Sequence, residues 1–364
     1  MNALWAAPDR GWNTEGTLNY QFRICKFSIL MDPVPDPSGN NSSRPNIRLN
    51  YLDTILLTGP DGVPTTSPDP DATEFIQLDG FPPLPRATYE GDGFGCPGFS
   101  EQGKMIHALQ PPPAFLPLRN GTLSFSGPEP LMFQRDRVPT PLNPTTGRAN
   151  NQGFEGLTAS PDGKIIYAMM QSAVNQEGGP KKRFRTQACL LEYDISGQNP
   201  ALSHEDVVTL PLYDTGDKLK ATTQSEIHQL SNGHFLVLAR DSGFGRGEEE
   251  TESKYRHVDI MSIDRATDIA SGEHDRVNGS IASDKGVLDH NLTNATYCAF
   301  LDFNIESELR KFGLHNGGQQ DDLPLNEKWE SLSLVPIDQV DSNGNPEYFL
   351  FSFSDNDFKT QDEL

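Results

Sequence analysis

The stretch Glu155-Gly-Leu-Thr-Ala-Ser-Pro-Asp-Gly-Lys-Ile-Ile-Tyr-Ala-Met-Met-Gln171 decides the fold class of this chain. A short run, Glu155 to Ser160, precedes a Pro-Asp-Gly turn, and an apolar run, Ile165 to Met170, follows it. An Asp-Gly pair between apolar runs is the strongest short-range signal for a β-hairpin, because such turns need residues that accept a positive φ. The sequence therefore predicts two antiparallel strands, the first of which opens with a glutamate.

The same order of glutamate, strand, turn and strand occurs twice more along the chain. One copy spans Glu226 to Asp241 and turns at Ser231-Asn-Gly233. The other spans Trp329 to Asp357 and turns between Asp341 and Pro346. Three hairpins of one kind are thus predicted, and each begins with an acidic residue.

Apolar segments of a second kind alternate with these hairpins and complete a sheet with them. They are Gln21-Phe-Arg-Ile-Cys-Lys-Phe27, Cys189-Leu-Leu-Glu-Tyr-Asp194, Tyr255-Arg-His-Val-Asp-Ile-Met261 and Tyr297-Cys-Ala-Phe-Leu-Asp-Phe303. A hairpin, one such strand and a fourth strand such as Asp206 to Tyr213 make a four-stranded sheet, which repeats as the blades of a β-propeller do. The prediction is an all-β, single-domain β-propeller over residues 1–364, incomplete as given.

The remaining segments are predicted to be connections. Two stretches rich in Pro, Asn and Gly, Asp32 to Arg48 and Gln134 to Gln152, are typical of long loops. One short helix is expected at Ile305 to Phe312. Gly93-x-Gly95-x-x-Gly98 matches a dinucleotide-binding fingerprint by letter, but no helix follows it, so we interpret it as a loop.

Composition limits the classes of partner. The chain has 51 Asp and Glu against 29 Lys and Arg, a net charge of -22, which repels nucleic acid and anionic lipid surfaces. No apolar run approaches the roughly 18 residues of a membrane helix. We expect a small phosphorylated or otherwise anionic substrate, no nucleic-acid or membrane partner, and a monomer. The excess of carboxylates suits Ca²⁺, which prefers oxygen ligands.

Six N-glycosylation sequons favour a secretory route. They begin at Asn40, Asn41, Asn120, Asn278, Asn291 and Asn294. Met1 to Ala7 lacks the features of a signal peptide, so the alternatives are a cytosolic protein or a start that lies inside the natural chain. The four cysteines, Cys25, Cys96, Cys189 and Cys298, have no metal-type spacing. They are interpreted as small buried side chains, with a disulfide framework as the alternative.

An ordered set of motifs resembles the phytase-like family, also called "esterase-like activity of phytase", in its secreted fungal branch. The motifs are Pro8-Asp-Arg-Gly-Trp-Asn13, Gln110-Pro-Pro-Pro-Ala-Phe-Leu-Pro117, Gly153-Phe-Glu-Gly-Leu157 with Ser160-Pro-Asp-Gly163, Glu226-Ile-His-Gln-Leu230 and Ser354-Asp-Asn-Asp-Phe358. The resemblance covers most of the chain. It implies a β-propeller whose acidic residues are suspected of phosphoester hydrolysis.

The chain also departs from this family pattern. Relatives carry a further strand pair just before the strand equivalent to Phe99 to Gln110, whereas here Tyr89 to Gly98 leads directly into that strand. The first blade and the final closing strand are also expected to be incomplete. Exposed strand edges would result, and an open edge invites aggregation.

The predicted chemistry centres on acidic residues at equivalent positions of successive blades. Inner strands line the channel of a propeller, so the first residues of the three hairpins would converge there. Converging carboxylates either bind a cation or raise one another's pKa values. The functional hypothesis is a Ca²⁺ site that polarises a phosphate oxygen and activates water. Its predicted ligands are Glu155, Glu226, Glu330, Asp355 and Asp357, and its predicted catalytic residues are Glu155, Glu330 and Asp355. The alternative is structural, with each glutamate accepting backbone N–H groups at a blade edge.

Basic residues are scarce, and four of them are candidates for binding an anionic substrate. Arg10 and Arg240 stand beside Asp9 and Asp241, where a guanidinium either clamps phosphate or pairs with its neighbour. Lys182 and Arg185 belong to the only dense basic run, Lys181 to Arg185, whose alternative interpretation is a solvated hairpin tip.

Three classes of function remain open. They are a metal-dependent phosphoesterase, a calcium-dependent hydrolase of the lactonase kind, and a non-catalytic binding propeller of the cell wall or matrix. Fold alone does not determine activity, so the choice among them rests on the family resemblance. That resemblance favours the metal-dependent phosphoesterase.

Overall fold

The computed structural model describes residues 3–7, 21–31, 47–59, 61–62, 70–76, 84–87, 96–124, 140–197, 199–230, 233–340 and 342–355. Over these residues the protein is all-β, as predicted, with 21 strands and a single four-residue α-helix. The chain forms two compact units, one made of residues 1–151 and 357–364 and the other of residues 152–356. They are described separately.

The first unit contains a three-stranded antiparallel sheet and three separate strand pairs. The sheet consists of β1 (Ala3–Ala6), β2 (Arg23–Met31) and β3 (Ile47–Leu56), in that order. The pairs are β4 (Pro70–Ile76) with β5 (Leu84–Ala87), β6 (Cys96–Phe99) with β7 (Met105–Leu109), and β8 (Leu118–Arg119) with β9 (Thr122–Leu123).

The second unit begins with a four-stranded antiparallel sheet in which each strand pairs with the next. Its strands are β10 (Phe154–Ala159), β11 (Ile165–Met170), β12 (Gln187–Asp194) and β13 (Ala201–Thr209). The turn between β10 and β11 is at Gly163, where φ is +69°, so the Asp-Gly prediction is confirmed. Met169, Leu190 and Val207 are completely buried and form part of the core.

A second four-stranded sheet has the same simple order. A short pair, β14 (Leu212–Asp214) and β15 (Leu219–Ala221), precedes it. The sheet itself consists of β16 (Thr223–Gln229), β17 (His234–Arg240), β18 (Arg256–Ser262) and β19 (Thr296–Asp302). The turn between β16 and β17 is at Gly233, where φ is +67°, again as predicted.

The last elements are a helix and the third hairpin. Helix α1 (Glu306–Leu309) continues as a 3-10 turn at Arg310–Phe312, which confirms the predicted helix. The hairpin consists of β20 (Trp329–Val340) and β21 (Pro346–Ser354). Leu332 of this hairpin packs with Leu236, Leu238 and Val258 of the second sheet in one apolar cluster.

The first strands of the three hairpins are neighbours in space. β10 contacts β16, and β16 contacts β20. The Gln229 amide donates to Thr158 Oγ1 at 3.2 Å across the first of these contacts. The three glutamate-bearing strands therefore lie side by side, as the repeat in the sequence predicted.

Some sequence-based assignments need correction. Tyr297 to Phe303 supplies the fourth strand of the second sheet, next to the strand formed by Tyr255 to Met261, instead of belonging to a separate sheet. The fourth strand of the first sheet ends at Thr209, and Leu212 starts a different pair. Cys96–Phe99 is a strand, so Gly98 is not in a loop.

The predicted loops and cysteines agree only in part with the structure. Strand β3 begins at Ile47, within the stretch expected to be a loop, and residues 32–46 lie outside the described part. Residues 140–152 contain no strand, as expected. Cys25, Cys189 and Cys298 are free thiols. Cys189 is buried, as predicted for a small apolar residue, whereas Cys298 is exposed.

Candidate functional site

Each of the three neighbouring strands carries a β-bulge near its first residue. The pairing register shifts around Glu155 in β10, around Ser225 in β16 and around Glu330 in β20. A bulge inserts one unpaired residue and re-aims its side chain out of the regular alternation. Glu155 and Glu330 are therefore bulged residues themselves. In β16 the bulged residue is Ser225, and Glu226 follows it directly.

Glu226 links the two four-stranded sheets. Its Oε1 accepts hydrogen bonds from the Leu157 amide of β10 at 3.0 Å and from its own neighbour Ile227 at 2.8 Å. Burial raises the pKa of Glu226 to about 7; the two amides oppose this shift, and the nearby carboxylates of Glu155 and Glu330 contribute to it. Glu226 can therefore gain or lose a proton near neutral pH.

Glu330 links the second sheet to the third hairpin. Its Oε1 accepts from Arg240 Nη2 at 2.7 Å, and its side chain is also hydrogen-bonded to Ser225. Burial raises the pKa of Glu330, whereas Arg240 and Lys328 oppose that shift. Glu330 thus belongs to a partly buried ion pair that joins neighbouring elements.

The other predicted acidic ligands have different surroundings. Glu155 is exposed and acts electrostatically on Glu226. Asp355 follows β21, and its Oδ2 pairs with Lys328 Nζ at 3.1 Å while its amide donates to the Lys328 carbonyl at 2.7 Å. Asp357 lies outside the described residues. Among the described residues no group of three His, Cys, Asp or Glu side chains is arranged to hold a metal ion.

Arg240 is a buried hub and does not pair with the carboxylate of Asp241. Its Nε donates to Ser225 Oγ at 3.0 Å, and Nη1 lies 3.6 Å from Glu327 Oε1. The Asp241 carboxylate instead accepts from Ser253 and from the amides of Lys254 and Tyr255. The predicted pairing of Arg240 with Asp241 is wrong, because the acidic partners of Arg240 are Glu330 and Glu327.

The basic run contributes to a group of cations beside this hub. Burial lowers the pKa of Lys182, and Lys220, Arg185 and Lys218 lower it further, while Glu327 opposes them. The Ala221 amide donates to the Lys182 carbonyl at 2.9 Å, so the strand bearing Lys220 lies directly beside Lys182. Arg185 donates to the Gly179 carbonyl. The turn structure of residues 181–186 connects β11 to β12.

Glu327 connects the two groups, since it lies beside Arg240 and acts electrostatically on Lys182. Sequence reasoning missed Glu327, Ser225 and Lys220. Ser225 and Glu327 stand one residue before Glu226 and three before Glu330, so inspection of the flanks of the repeated glutamate could have found them. Arg10 lies outside the described residues.

The described sequon asparagines, Asn120, Asn278, Asn291 and Asn294, are all exposed. Asn40 and Asn41 lie outside the described residues. None of the helices in the described part of the chain is long and apolar enough to cross a membrane.

Comparison with known proteins identifies the class. The sequence profile of the family described as Phytase-like, "Esterase-like activity of phytase", matches residues 97–358. The chain therefore belongs to the phytase-like family. It is also 50% identical, over 401 aligned positions, to an "Uncharacterized secreted protein" of Arthroderma benhamiae; the alignment covers 98% of this chain and 78% of that relative. No solved structure matches.

The alignment bears on the proposed missing strand pair. Its 401 positions exceed the 364 residues of this chain, so the relative has additional residues within the aligned region. These additional residues are located by sequence position in neither number, so the absence of a strand pair before Phe99 stays a prediction.

Proposed function

We propose that this protein is a secreted β-propeller that hydrolyses phosphoesters at the mouth formed by Glu155, Glu226 and Glu330. Membership of the phytase-like family and the secreted relative support the coarse function. The two four-stranded sheets and the side-by-side first strands support the propeller architecture. The observation that carries the catalytic part is the position of Glu226, bonded to the Leu157 amide near Glu155 and Glu330, where burial raises its pKa to about 7.

Glu226 is the group that moves a proton in this proposal. Both hydrogen bonds that Glu226 makes with described residues are to Oε1, so Oε2 is the oxygen that gives a proton to a leaving oxygen or takes one from water. Glu155, which is exposed, faces the solvent from which substrate arrives. Arg240 holds Glu330 in place, and the cations Lys182 and Lys220 attract the anionic substrate.

The calcium site remains a separate proposal. The described members of the predicted ligand set do not form a three-ligand group, and Asp355 is paired with Lys328. The proton transfer by Glu226 is proposed independently of a metal ion. Calorimetric titration with Ca²⁺ tests the site: heat that is lost in Glu330→Gln supports it, and the absence of heat in the parent protein rejects it.

The assay that tests the proposed function uses the full chain secreted from a eukaryotic host. Hydrolysis of a phosphomonoester, a phosphodiester, a carboxylic ester and a lactone is compared with and without chelator. We expect phosphoester hydrolysis that falls at least 100-fold in Glu226→Gln and is unchanged in Glu249→Gln, an exposed carboxylate. Equal rates in all three proteins contradict the role of Glu226.

A non-catalytic binding propeller is the second candidate. The hydrogen bonds of Glu226 to two amides and the ion pair of Glu330 favour it, because both fit structural links between strands. This alternative predicts no hydrolysis of any substrate by a folded parent protein. A lactonase-type hydrolase instead predicts lactone hydrolysis that chelator abolishes.

A further inference from the structure

The free edge of the first four-stranded sheet is covered by residues 264–295, here called the covering segment. Strand β13 pairs with β12 on one side only. On its other side the Ile269 amide donates to the Glu205 carbonyl at 2.9 Å, and the Ala295 amide donates to the Val207 carbonyl at 2.7 Å. The covering segment therefore protects an edge that would otherwise be open to pairing with another chain.

Two buried carboxyl groups meet where the covering segment crosses β13. Glu205 of β13 is 1% exposed and Asp275 of the covering segment is 7% exposed. The two side chains lie within reach of each other, and Oε2 of Glu205 and Oδ1 of Asp275 are buried with no donor among the described residues. Two buried carboxylates so close repel each other unless a proton lies between them.

The surroundings supply no positive charge that could replace this proton. The Cys189 thiol of β12 lies close to Glu205, and Glu177 adds a further acidic group nearby. The Asp268 carboxylate accepts the Glu205 amide, and Oδ2 of Asp275 accepts the Ser271 amide. His274 is bonded to the Ser280 carbonyl. In the described ranges no Lys, Arg or His forms an ion pair with Glu205 or Asp275.

We propose that Glu205 and Asp275 share one proton, and that this proton latches the covering segment to β13, so that rising pH loosens the segment. In the closed state Glu205 donates its carboxyl O–H to the Asp275 carboxylate. When the segment opens, Glu205 reaches water and releases that proton to solvent. Opening is thus coupled to the loss of one proton and becomes easier as the pH rises.

The pH range of this coupling follows from the burial of Glu205. Burial, and then Asp275, raise the pKa of Glu205 from 4.5 to about 10. Between these values the closed state holds a proton that the open state lacks, so the opening constant rises about tenfold per pH unit. Burial raises the pKa of Glu177, which accepts the Ile281 amide of the same segment, to about 7. Measurement above pH 7.5 therefore isolates Glu205.

Hydrogen exchange on the intact chain between pH 7.5 and 9.0 tests the latch. After correction for the intrinsic exchange rate, we expect protection of amides in the covering segment to fall about tenfold per pH unit in the parent protein. Glu205→Gln should show no such fall, because its amide donates to Asp275 without ionising. Asp275→Asn serves as the second variant, since its amide donates to Glu205, and Glu249→Gln is the charge-matched control that should behave like the parent.

Two results would overturn the proposal. One is the same pH dependence in the parent protein, Glu205→Gln and Asp275→Asn. The other is a rise in protection on adding CaCl₂ to the chelator-treated parent that is absent from Glu205→Gln, because a cation would then bridge the two oxygens in place of a proton.

Discussion

The Glu226 carboxylate of β16 accepts the Leu157 amide of β10 at 3.0 Å, so the first strand of the second four-stranded sheet is bonded to the first strand of the sheet before it. Replacement of Glu226 by Gln keeps an acceptor oxygen for this bond, whereas Glu226→Ala leaves the Leu157 amide without its partner. We expect the free energy of unfolding to change by less than about 1 kcal/mol in the first variant and to fall by about 1–3 kcal/mol in the second. Urea denaturation measures both, and equal losses would show that the bond contributes nothing.

The ion pair of Arg240 with Glu330 should be important for stability. Arg240→Ala leaves the partly buried Glu330 carboxylate without its hydrogen-bonded cation, which we expect to cost about 1–3 kcal/mol. The matched control is Arg265→Ala, because Arg265 is exposed and has no described partner. Thermal unfolding of the two variants should separate them clearly. Similar melting temperatures would contradict the role of Arg240 as a hub between β17 and β20.

Gly156 of β10 packs closely against β16. A Cβ atom at this position would stand 2.7 Å from Gln224 Oε1 and 3.0 Å from Ile227. Gln224 is completely buried and its Nε2 donates to the Met169 carbonyl, so it has little freedom to move. We expect Gly156→Ala to destabilise the protein by about 1–3 kcal/mol. Gly153→Ala is the control, since no atom lies within 4 Å of its added Cβ.

Stability should increase as the pH falls from 8 to 5. Burial raises the pKa values of Glu177, Asp206 and Glu226 to about 7 and that of Glu205 to about 10. A carboxyl group with a raised folded-state pKa stabilises the fold fully below its unfolded pKa, and this contribution is lost as the pH rises through the folded value.

Differential scanning calorimetry from pH 5 to 8 measures this effect. We expect the melting temperature to be several degrees higher at pH 5, and the difference to shrink in Glu177→Gln. A melting temperature that rises with pH would contradict the buried, protonated state of these groups.

Glycans should be attached to the exposed sequons. Asn278 and Asn291 are exposed residues of the covering segment, so a glycan attached to either asparagine can extend into solvent. Protein secreted by a eukaryotic host should lose mass on enzymatic deglycosylation. Asn278→Gln should remove one glycan from the mass spectrum, and an unchanged mass would show that this sequon is unused.

Local features of the fold were predictable from sequence, whereas the partners of the site residues were not. The hairpins at Gly163 and Gly233 follow from turn chemistry and apolar alternation, which act over a few residues. The partner of Arg240 is Glu330, a residue 90 positions away, and the packing of β16 and β17 against β20 brings them together. The neighbouring Asp241 was the expected partner, but backbone amides occupy its carboxylate.

The candidate site, too, was predictable from sequence only in part. Recurrence of glutamate at the start of three hairpins predicted that these strands would be neighbours, which is confirmed. The surroundings that distinguish Glu226 from the exposed Glu155 depend on burial, and no pattern of residue types reveals burial at a single position. Asp355 was predicted as a ligand at the end of the third hairpin, yet Lys328, the residue before β20, pairs with it.

The bulges at Glu155, Ser225 and Glu330 have a further consequence for how such a protein can change over time. A bulged residue is excluded from the cross-strand pairing that fixes every other position of its strand. A substitution at a bulge therefore leaves the cross-strand pairing unchanged, but at Ser225 or Glu330 it also removes a partner of Arg240. Of the three positions, the exposed Glu155 is the one that can change over time without disturbing the Arg240 cluster.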